Sequence, residues 1–459
     1  MDYAFLDEIL REDQISDNDT VQEEHSHDWG TRPEDGVPPA VVVWPESTKD
    51  VSAVLREASE REIPVTPFAA GTSLEGNPIP LEGGISLDVS RMDAVVDIRP
   101  DDFQITVQPG IIGSDVNDAL QSHGLFFPPL PSSGKISTIG GMIANDASGM
   151  LAVKYGEIHD WILHLEAVLA NGTVIETGSR AAKTSAGYNV LDLLVGSEGT
   201  LAVVTEATLE LAGRPEQIWG GRVIFNDRTE ASKAVSDIVQ SGVDVAKIEL
   251  IDAVSAEMTN KYLGTDLPDL PMIFLEFHAN HDIKSEVEFC RTILDAYETV
   301  KIGITESGDE MQSLWEVREE MANALEPYDP DLTPLTPGDV TVPISHFASL
   351  LDYIASLEDE HDVLIPCFGH AGDGNIHYTV LVRAGDKEHR AHGERVSKEI
   401  VKHAIELGGT STGEHGVGLG KQDYLAEEFG DDTVALMGQI KDAFDPNGIL
   451  NPGKVLPYR

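Results

Sequence analysis

Two histidines and a glutamate offer the sharpest chemistry in this chain. In CFGHAGDGNIHYTV, residues 367–380, a strand is expected to end near Gly369, the AGDGN loop to reverse the chain, and a second strand to start near Ile376. A hairpin of that kind makes His370 and His377 cross-strand neighbours with side chains about 5 Å apart. Two imidazoles so placed can hold one divalent cation, and Glu414 in STGEHGVG offers a third ligand. A His₂Glu set leaves coordination positions open for a substrate. Zinc is the expected ion, with iron and manganese as alternatives. The competing reading is a pair of solvent-facing loop histidines.

His415 follows Glu414, and in an extended loop adjacent side chains point to opposite sides. If the glutamate turns to a metal, the imidazole can face a substrate and accept a proton near neutral pH; otherwise it is a hydrogen-bonded loop histidine. Arg318 is a separate clue. On a helix expected over 309–325, Leu314, Val317, Met321 and Leu325 follow helical spacing, and Arg318 shares their stripe. A guanidinium facing a core needs an anionic partner. A substrate carboxylate gripped by both guanidinium nitrogens would serve, and so would an internal Asp or Glu.

The elements that must position these residues fall into two groups. Val41–Trp44, a helix from Thr48 to about Arg61 and Ile63–Thr66 read as strand, helix, strand, followed by strands at ISLDV, AVVDI and FQITVQ and a helix from Gly113 to His123. LHLEAVLANGTVIETG reads as a hairpin with Asn171-Gly172 in a type I′ turn. Three small-residue clusters interrupt these elements: PVTPFAAGTSLEGNPIP (64–80), the stretch 128–161, and GSEGTLAVVTEA (196–207). Uncovered backbone N–H groups in such loops suit a diphosphate or another large ligand. Past AGRPEQ, near residue 215, strands at GGRVIF, PMIFLEFH, VLIPCF and IHYTVLV alternate with helices at 229–241, 282–298, 345–360 and 387–407. That pattern predicts an α+β domain with an antiparallel sheet.

Taken in order, P-F-A-A-G-T-S-L-E-G, P-S-S with T-I-G-G-M-I-A-N-D-A-S-G, Y-G-x-I-x-D, K-T-S-A-G-Y-N and G-S-E-G-T-L resemble the FAD-binding half of the vanillyl-alcohol oxidase/p-cresol methylhydroxylase superfamily. G-H-A-G-D-G-N-I-H, G-E-H-G-V-G and D-P-N-G-I-L-N-P-G-K resemble its branch of D-lactate dehydrogenases, D-2-hydroxyglutarate dehydrogenases and glycolate oxidase flavoprotein subunits. The resemblance spans roughly residues 37–457. It implies an N-terminal segment (1–36), a two-subdomain FAD-binding domain (37–215), an α+β cap domain with the metal site (216–420) and a C-terminal helical return to the FAD site (421–459).

Carried over, it gives the diphosphate to Pro67, Phe68, Ala69, Ala70, Gly71, Thr72 and Ser73. The flavin and ribityl portions fall to Pro131, Ser132, Thr138, Gly140, Gly141, Asn145 and Ser148, with Gly199, Val203 and Val204 beneath and Asn451 closing the site. Where the family usually has Arg-Gly-Gly this chain has Phe68, Ala69 and Ala70, so the diphosphate must rest on backbone N–H groups. No His, Cys or Tyr lies in 68–76, which implies a non-covalent cofactor.

The implied reaction is oxidation of a small D-2-hydroxy acid, D-lactate first, then glycolate, then 2-hydroxyglutarate. Arg318, Asn375 and His415 would meet the substrate, and His415 would act as base. The electron acceptor is then external: a quinone, a cytochrome, an electron-transfer flavoprotein or an iron-sulfur subunit. A more distant alternative is a non-redox flavoenzyme resembling alkyl-dihydroxyacetonephosphate synthase, which would need a cationic phosphate pocket; another is a flavin-free metallohydrolase using the His₂Glu set.

Charge narrows the field. With 31 Lys+Arg and 80 Asp+Glu the chain carries −49, which excludes nucleic-acid binding through cationic surface. Acidic residues are spread through every segment, as in proteins adapted to molar salt, where the Debye length shrinks to about 3 Å. Cys290 and Cys367 are too few for a disulfide scaffold and fit a reducing cytoplasm. The opening MDYAFLDEILREDQ has no basic stretch followed by an apolar run, so a cytoplasmic protein is expected, compatible with peripheral membrane association and with a homodimer.

Overall fold

The computed structural model describes residues 2–306, 309–325 and 328–457. The chain forms two compact units: Met1–Ser148, Glu157–Arg214 and Glu414–Arg459 make the first, Gly149–Gly156 and Pro215–Gly413 the second. The division near residue 215 is thus accompanied by a short excursion at 149–156 and a return that starts at Glu414.

In the first unit a four-stranded sheet runs in the order Ile15–Ser16, Val41–Val43, Ile85–Asp88, Val65–Phe68. The last three strands are parallel. Helix Thr48–Glu60 covers it because Val51, Val54, Leu55 and Ala58 recur at helical spacing, and Ser47 caps its N-terminus by accepting from the Asp50 amide at 3.3 Å. The N-terminal segment, in which DYAFLDEIL reads as helical and the polar stretch after it as irregular, is part of this layer, with helices at Leu6–Ile9 and Asp19–Glu24. Its few apolar residues, Phe5, Leu6 and Leu10, are buried in the same core, and Ile15 pairs with Val43.

A second, antiparallel sheet runs Val95–Arg99, Gln104–Val107, Ala202–Glu210, Ile162–Leu169, Val174–Gly178. Its hairpin at Asn171-Gly172 is not type I′, since only Gly172 (φ +80°) takes the left-handed conformation, with its amide on Leu169 O at 2.8 Å. The second small-residue cluster, 128–161, contains a helix, Ile139–Asn145, capped by Thr138. Its two glycines hid it. A Cβ on Gly140 would stand 2.6 Å from Pro109 Cβ, so the glycine serves close packing rather than a loop.

The second unit is built on a seven-stranded antiparallel sheet. Its order is Thr299–Glu306, Gln217–Phe225, Met272–Ala279, Lys247–Ile251, Cys367–Gly369, Asn375–Tyr378, Gly338–Thr341. Helices Arg228–Gln240, Ile283–Leu294, Phe347–His361 and Lys387–Glu406 belong to the same unit, in the α+β pattern read from the sequence. The helix bearing Arg318 is shorter than expected, Asp309–Glu319, and continues as a turn and a 3₁₀ segment Ala322–Ala324. Among the described residues no helix is long and apolar enough to cross a membrane.

Candidate active site

In the second unit His370 follows strand Cys367–Gly369, and His377 sits on the adjoining strand, opposite Phe368. Their rings are perpendicular, with centroids 5.1 Å apart. Each has a buried carboxylate on its Nδ1 side. Glu249 Oε1 lies 2.6 Å from His370 Nδ1, and Asp339, paired with His377 across the sheet, has Oδ1 at 3.6 Å from His377 Nδ1. The carboxylate hydrogen-bonded to His370 fixes its tautomer and aims its Nε2, the usual support of a metal-ligating histidine, while Asp339 places a negative charge beside His377 beyond hydrogen-bond distance. The donor set of this unit therefore fits a divalent cation.

Neither carboxylate was visible as functional in the sequence. Glu249 lies in the apolar strand KIELI and is fully buried. Burial pushes its carboxyl upward, but the charges of Arg318 and His370 win and hold it at about 2. Arg318 Nε donates to Glu249 Oε2 at 2.7 Å, with Nη2 at 2.6 Å from the same oxygen. Of the two partners left open for Arg318, the structure supplies the internal carboxylate. That contact uses the side-on edge of the guanidinium, Nε and Nη2. The end-on edge, Nη1 and Nη2, is the one that could meet a second carboxylate.

Asp339 organises the rest. Its Oδ1 accepts from Asn375 Nδ2 at 2.7 Å, and its Oδ2 from the amide of Gly413 at 2.7 Å and from Thr412 Oγ1 at 3.2 Å. Asn375 also donates to Thr341 Oγ1 at 2.9 Å, while its buried Oδ1 has no hydrogen-bond partner among the described residues. Only glycine fits at 413, because a Cβ there would stand 2.2 Å from Asn375 Nδ2. Gly372, in the loop between the histidines, is held similarly: a Cβ would meet Ile248 at 2.4 Å and Val153 of the 149–156 excursion at 2.6 Å. From the same excursion Tyr155 Oη reaches His278 Nδ1 at 3.0 Å, and His278 Nε2 reaches Glu276 at 2.8 Å. Burial, and then the nearby acids Asp244 and Glu276, push the Tyr155 phenol up to about 12.

In the first unit the three small-residue clusters converge. Thr72 Oγ1 meets Ser137 Oγ at 3.0 Å, and Ser137 Oγ donates to Ser133 Oγ at 2.7 Å. Gly199 (φ +67°) closes on the first loop so tightly that a Cβ would lie 2.8 Å from Pro67 Cγ. Phe68, standing where the arginine was expected, packs against His25 with the rings tilted by 44° and centroids 4.4 Å apart. The backbone amides of Ala70 through Leu74 donate to no acceptor among the described residues. A run of uncommitted amides on small residues is an anion-binding concavity, so the loop fits a diphosphate without a cationic side chain.

Several side chains expected at the cofactor also hold the loops. Thr138 Oγ1 accepts from the Gly141 amide at 3.1 Å, and Asn145 Nδ2 donates to His415 O at 3.1 Å. Asn451 Nδ2 donates to Asn77 O at 3.0 Å and Glu198 O at 2.7 Å. Val203 is buried in the core beneath the parallel sheet, and Val204 is half-buried against the neighbouring core. Pro131, Ser132, Gly140, Gly141 and Ser148 flank the helix Ile139–Asn145 or lie within it, and Ser148 is buried. The tail reaches the loop strand directly: the Val65 amide donates to Ile449 O, and the Asn451 amide to Val65 O, both at 2.8 Å. Glu414 and His415 belong to this unit, whereas His370, His377, Asn375 and Arg318 belong to the other.

Two sequence families match the chain: "FAD binding domain" over residues 39–178 and "FAD linked oxidases, C-terminal domain" over residues 214–455. Among similar proteins, a mitochondrial D-lactate dehydrogenase [cytochrome] of Arabidopsis thaliana is 36% identical over 420 residues, covering 91% of this chain and 74% of that protein. The glycolate oxidase subunit GlcD of Bacillus subtilis is 37% identical over 420 residues, covering 91% and 89%. A probable mitochondrial D-lactate dehydrogenase of Danio rerio is 34% identical over 452 residues, covering 98% and 90%. Solved structures share the fold at low identity. p-Cresol methylhydroxylase has a TM-score of 0.80 at 14% identity, covering 98% of this chain and 96% of that one. Alkyldihydroxyacetonephosphate synthase has 0.76 at 19%, covering 98% and 85%.

Proposed function

The chain belongs to the FAD-linked oxidase family, and from that premise we propose that it oxidises a small D-2-hydroxy acid, D-lactate first, to the 2-oxo acid. Glycolate and D-2-hydroxyglutarate are the alternative substrates. The observation that carries the reading is the pair of imidazoles in the second unit, each backed by a buried carboxylate. When bound, FAD supplies a two-electron acceptor, and a divalent cation, zinc first, supplies positive charge beside the substrate oxygens.

The residues of this chain do the rest. The loop Pro67–Ser73 would hold the diphosphate through its amides, with no covalent link. His370, His377 and Glu414 would hold the cation. With Nδ1 of His370 on Glu249, its Nε2 would be the ligand atom. The peptide bond after Gly413, whose amide is on Asp339, brings in Glu414 as the next residue. Arg318, clamped side-on by Glu249, would offer its end-on edge to the substrate carboxylate. Asn375 would donate or accept beside it. His415 would take the hydroxyl proton, a role worth roughly 10²–10⁴-fold in rate.

Electrons would leave to an external acceptor: a quinone, a cytochrome, an electron-transfer flavoprotein or an iron-sulfur subunit. Steady-state assays with an artificial acceptor test the substrate. Turnover with D-lactate above that with glycolate, D-2-hydroxyglutarate and malate is the expected order. A preference for 2-hydroxyglutarate would move the assignment to that alternative.

A further inference from the structure

Glu198 stands where three segments of the first unit meet. It is 5% exposed and holds a left-handed backbone (φ +52°), a conformation that a residue other than glycine adopts only where its surroundings demand it. Its Oε2 accepts from Asn77 Nδ2 at 2.6 Å and from the Gly418 amide at 2.9 Å, and its Oε1 from the Val417 amide at 2.7 Å. Its own carbonyl accepts from Asn451 Nδ2 at 2.7 Å.

The amides that Glu198 holds belong to the loop just after His415, whose carbonyl is pinned by Asn145. Gly416 between them has no room for a side chain, since a Cβ would stand 2.9 Å from Glu198 Oε1 and 3.0 Å from Asn77 Nδ2. On its other side Glu198 precedes Gly199, which closes on Pro67 at the head of the diphosphate loop. A buried side chain whose oxygens gather these donors fixes their geometry, because an unpaired amide there would be costly.

We infer that Glu198 is a positioning residue: its carboxylate sets the Glu414–His415 loop and ties it to the segments that would hold FAD. The inference rests on the reading of Glu414 and His415 given above. It is tested on the holoenzyme by hydrogen exchange together with kinetics. Glu198→Ala should raise amide exchange over 414–420 and lower kcat by about 10²-fold, more than it changes KM, with flavin content retained. Glu198→Gln should restore most of both. Its oxygen can still accept from the loop amides, and its amide can donate to Asn77 Oδ1, which has no partner among the described residues.

Unchanged exchange over 414–420 in Glu198→Ala would overturn the inference, as would exchange raised across the whole first unit with loss of flavin. Should that variant not fold, Glu198→Asp, which keeps the charge and shortens the reach, is judged by the same exchange window. Failure of the underlying reading looks different: His415→Gln would then leave turnover unchanged, whatever Glu198 does.

Discussion

Arg318 and Glu249 form a buried ion pair, with Nη2 and Oε2 2.6 Å apart and side-chain exposures of 3% and 0%. Removing the guanidinium therefore does more than remove a contact to substrate, because it strands a carboxylate in the interior. Arg318→Ala should destabilise the fold by about 3–5 kcal/mol as well as raise KM. The double variant Arg318→Ala/Glu249→Gln should recover part of the stability and none of the activity. Thermal melts of the two proteins check this. Equal melting temperatures for wild type and Arg318→Ala would contradict the buried pairing.

The imidazole pair makes a prediction about composition. His377→Ala should lose bound metal and keep flavin, because the cofactor loops lie in the first unit and this histidine in the second. Asp339→Asn, which removes the negative charge 3.6 Å from His377 Nδ1, should weaken metal binding by about 10–100-fold. Metal analysis alongside the flavin absorbance reads both. A His377→Ala protein with stoichiometric metal would show the pair to be structural.

How much of this was legible in the sequence follows from where each residue sits. The histidines flank a glycine-rich turn between apolar runs, a pattern that fixes both a hairpin and a spacing. Glu249 and Asp339 sit inside strands, where pairing rather than spacing decides what they touch, and register is a tertiary property. An acid in KIELI was the available signal. Gly140 and Gly141 concealed the helix Ile139–Asn145, since a sequence does not distinguish a glycine kept for close packing from one kept for a turn. Phe5, Leu6 and Leu10 are too few to mark a core segment until helix Thr48–Glu60 is there to receive them.

A pH dependence follows from Glu358, away from the site. Burial raises its carboxyl to about 7, outweighing the Ile365 amide that donates to it at 2.8 Å and the Arg228 charge. A carboxyl raised above its unfolded value gives stability that is full below about 4.5 and is lost as pH rises through about 7. Glu358→Gln keeps the acceptor for Ile365 and does not titrate. The variant should therefore gain on wild type across that window by on the order of 2 kcal/mol. Melting curves from pH 4.5 to 8 check it, and a constant difference would refute the shift.

The charge of −49 predicts a steep dependence on salt. At molar KCl the screening length of about 3 Å is shorter than the spacing of most surface charges, so the melting temperature should climb from dilute buffer to molar KCl. A flat response would remove the case for adaptation to high salt.

In the proposed reaction this chain takes two electrons from a 2-hydroxy acid, with His415 as the base. Anaerobic mixing of the yellow holoenzyme with D-lactate, followed at the flavin absorbance in a single turnover, reads that step without any electron acceptor. Wild type should bleach, and His415→Gln should bleach about 10²–10⁴-fold more slowly with flavin and metal content unchanged. Absence of bleaching with D-lactate, glycolate and D-2-hydroxyglutarate alike, or a His415→Gln rate equal to wild type, would overturn the proposed reaction.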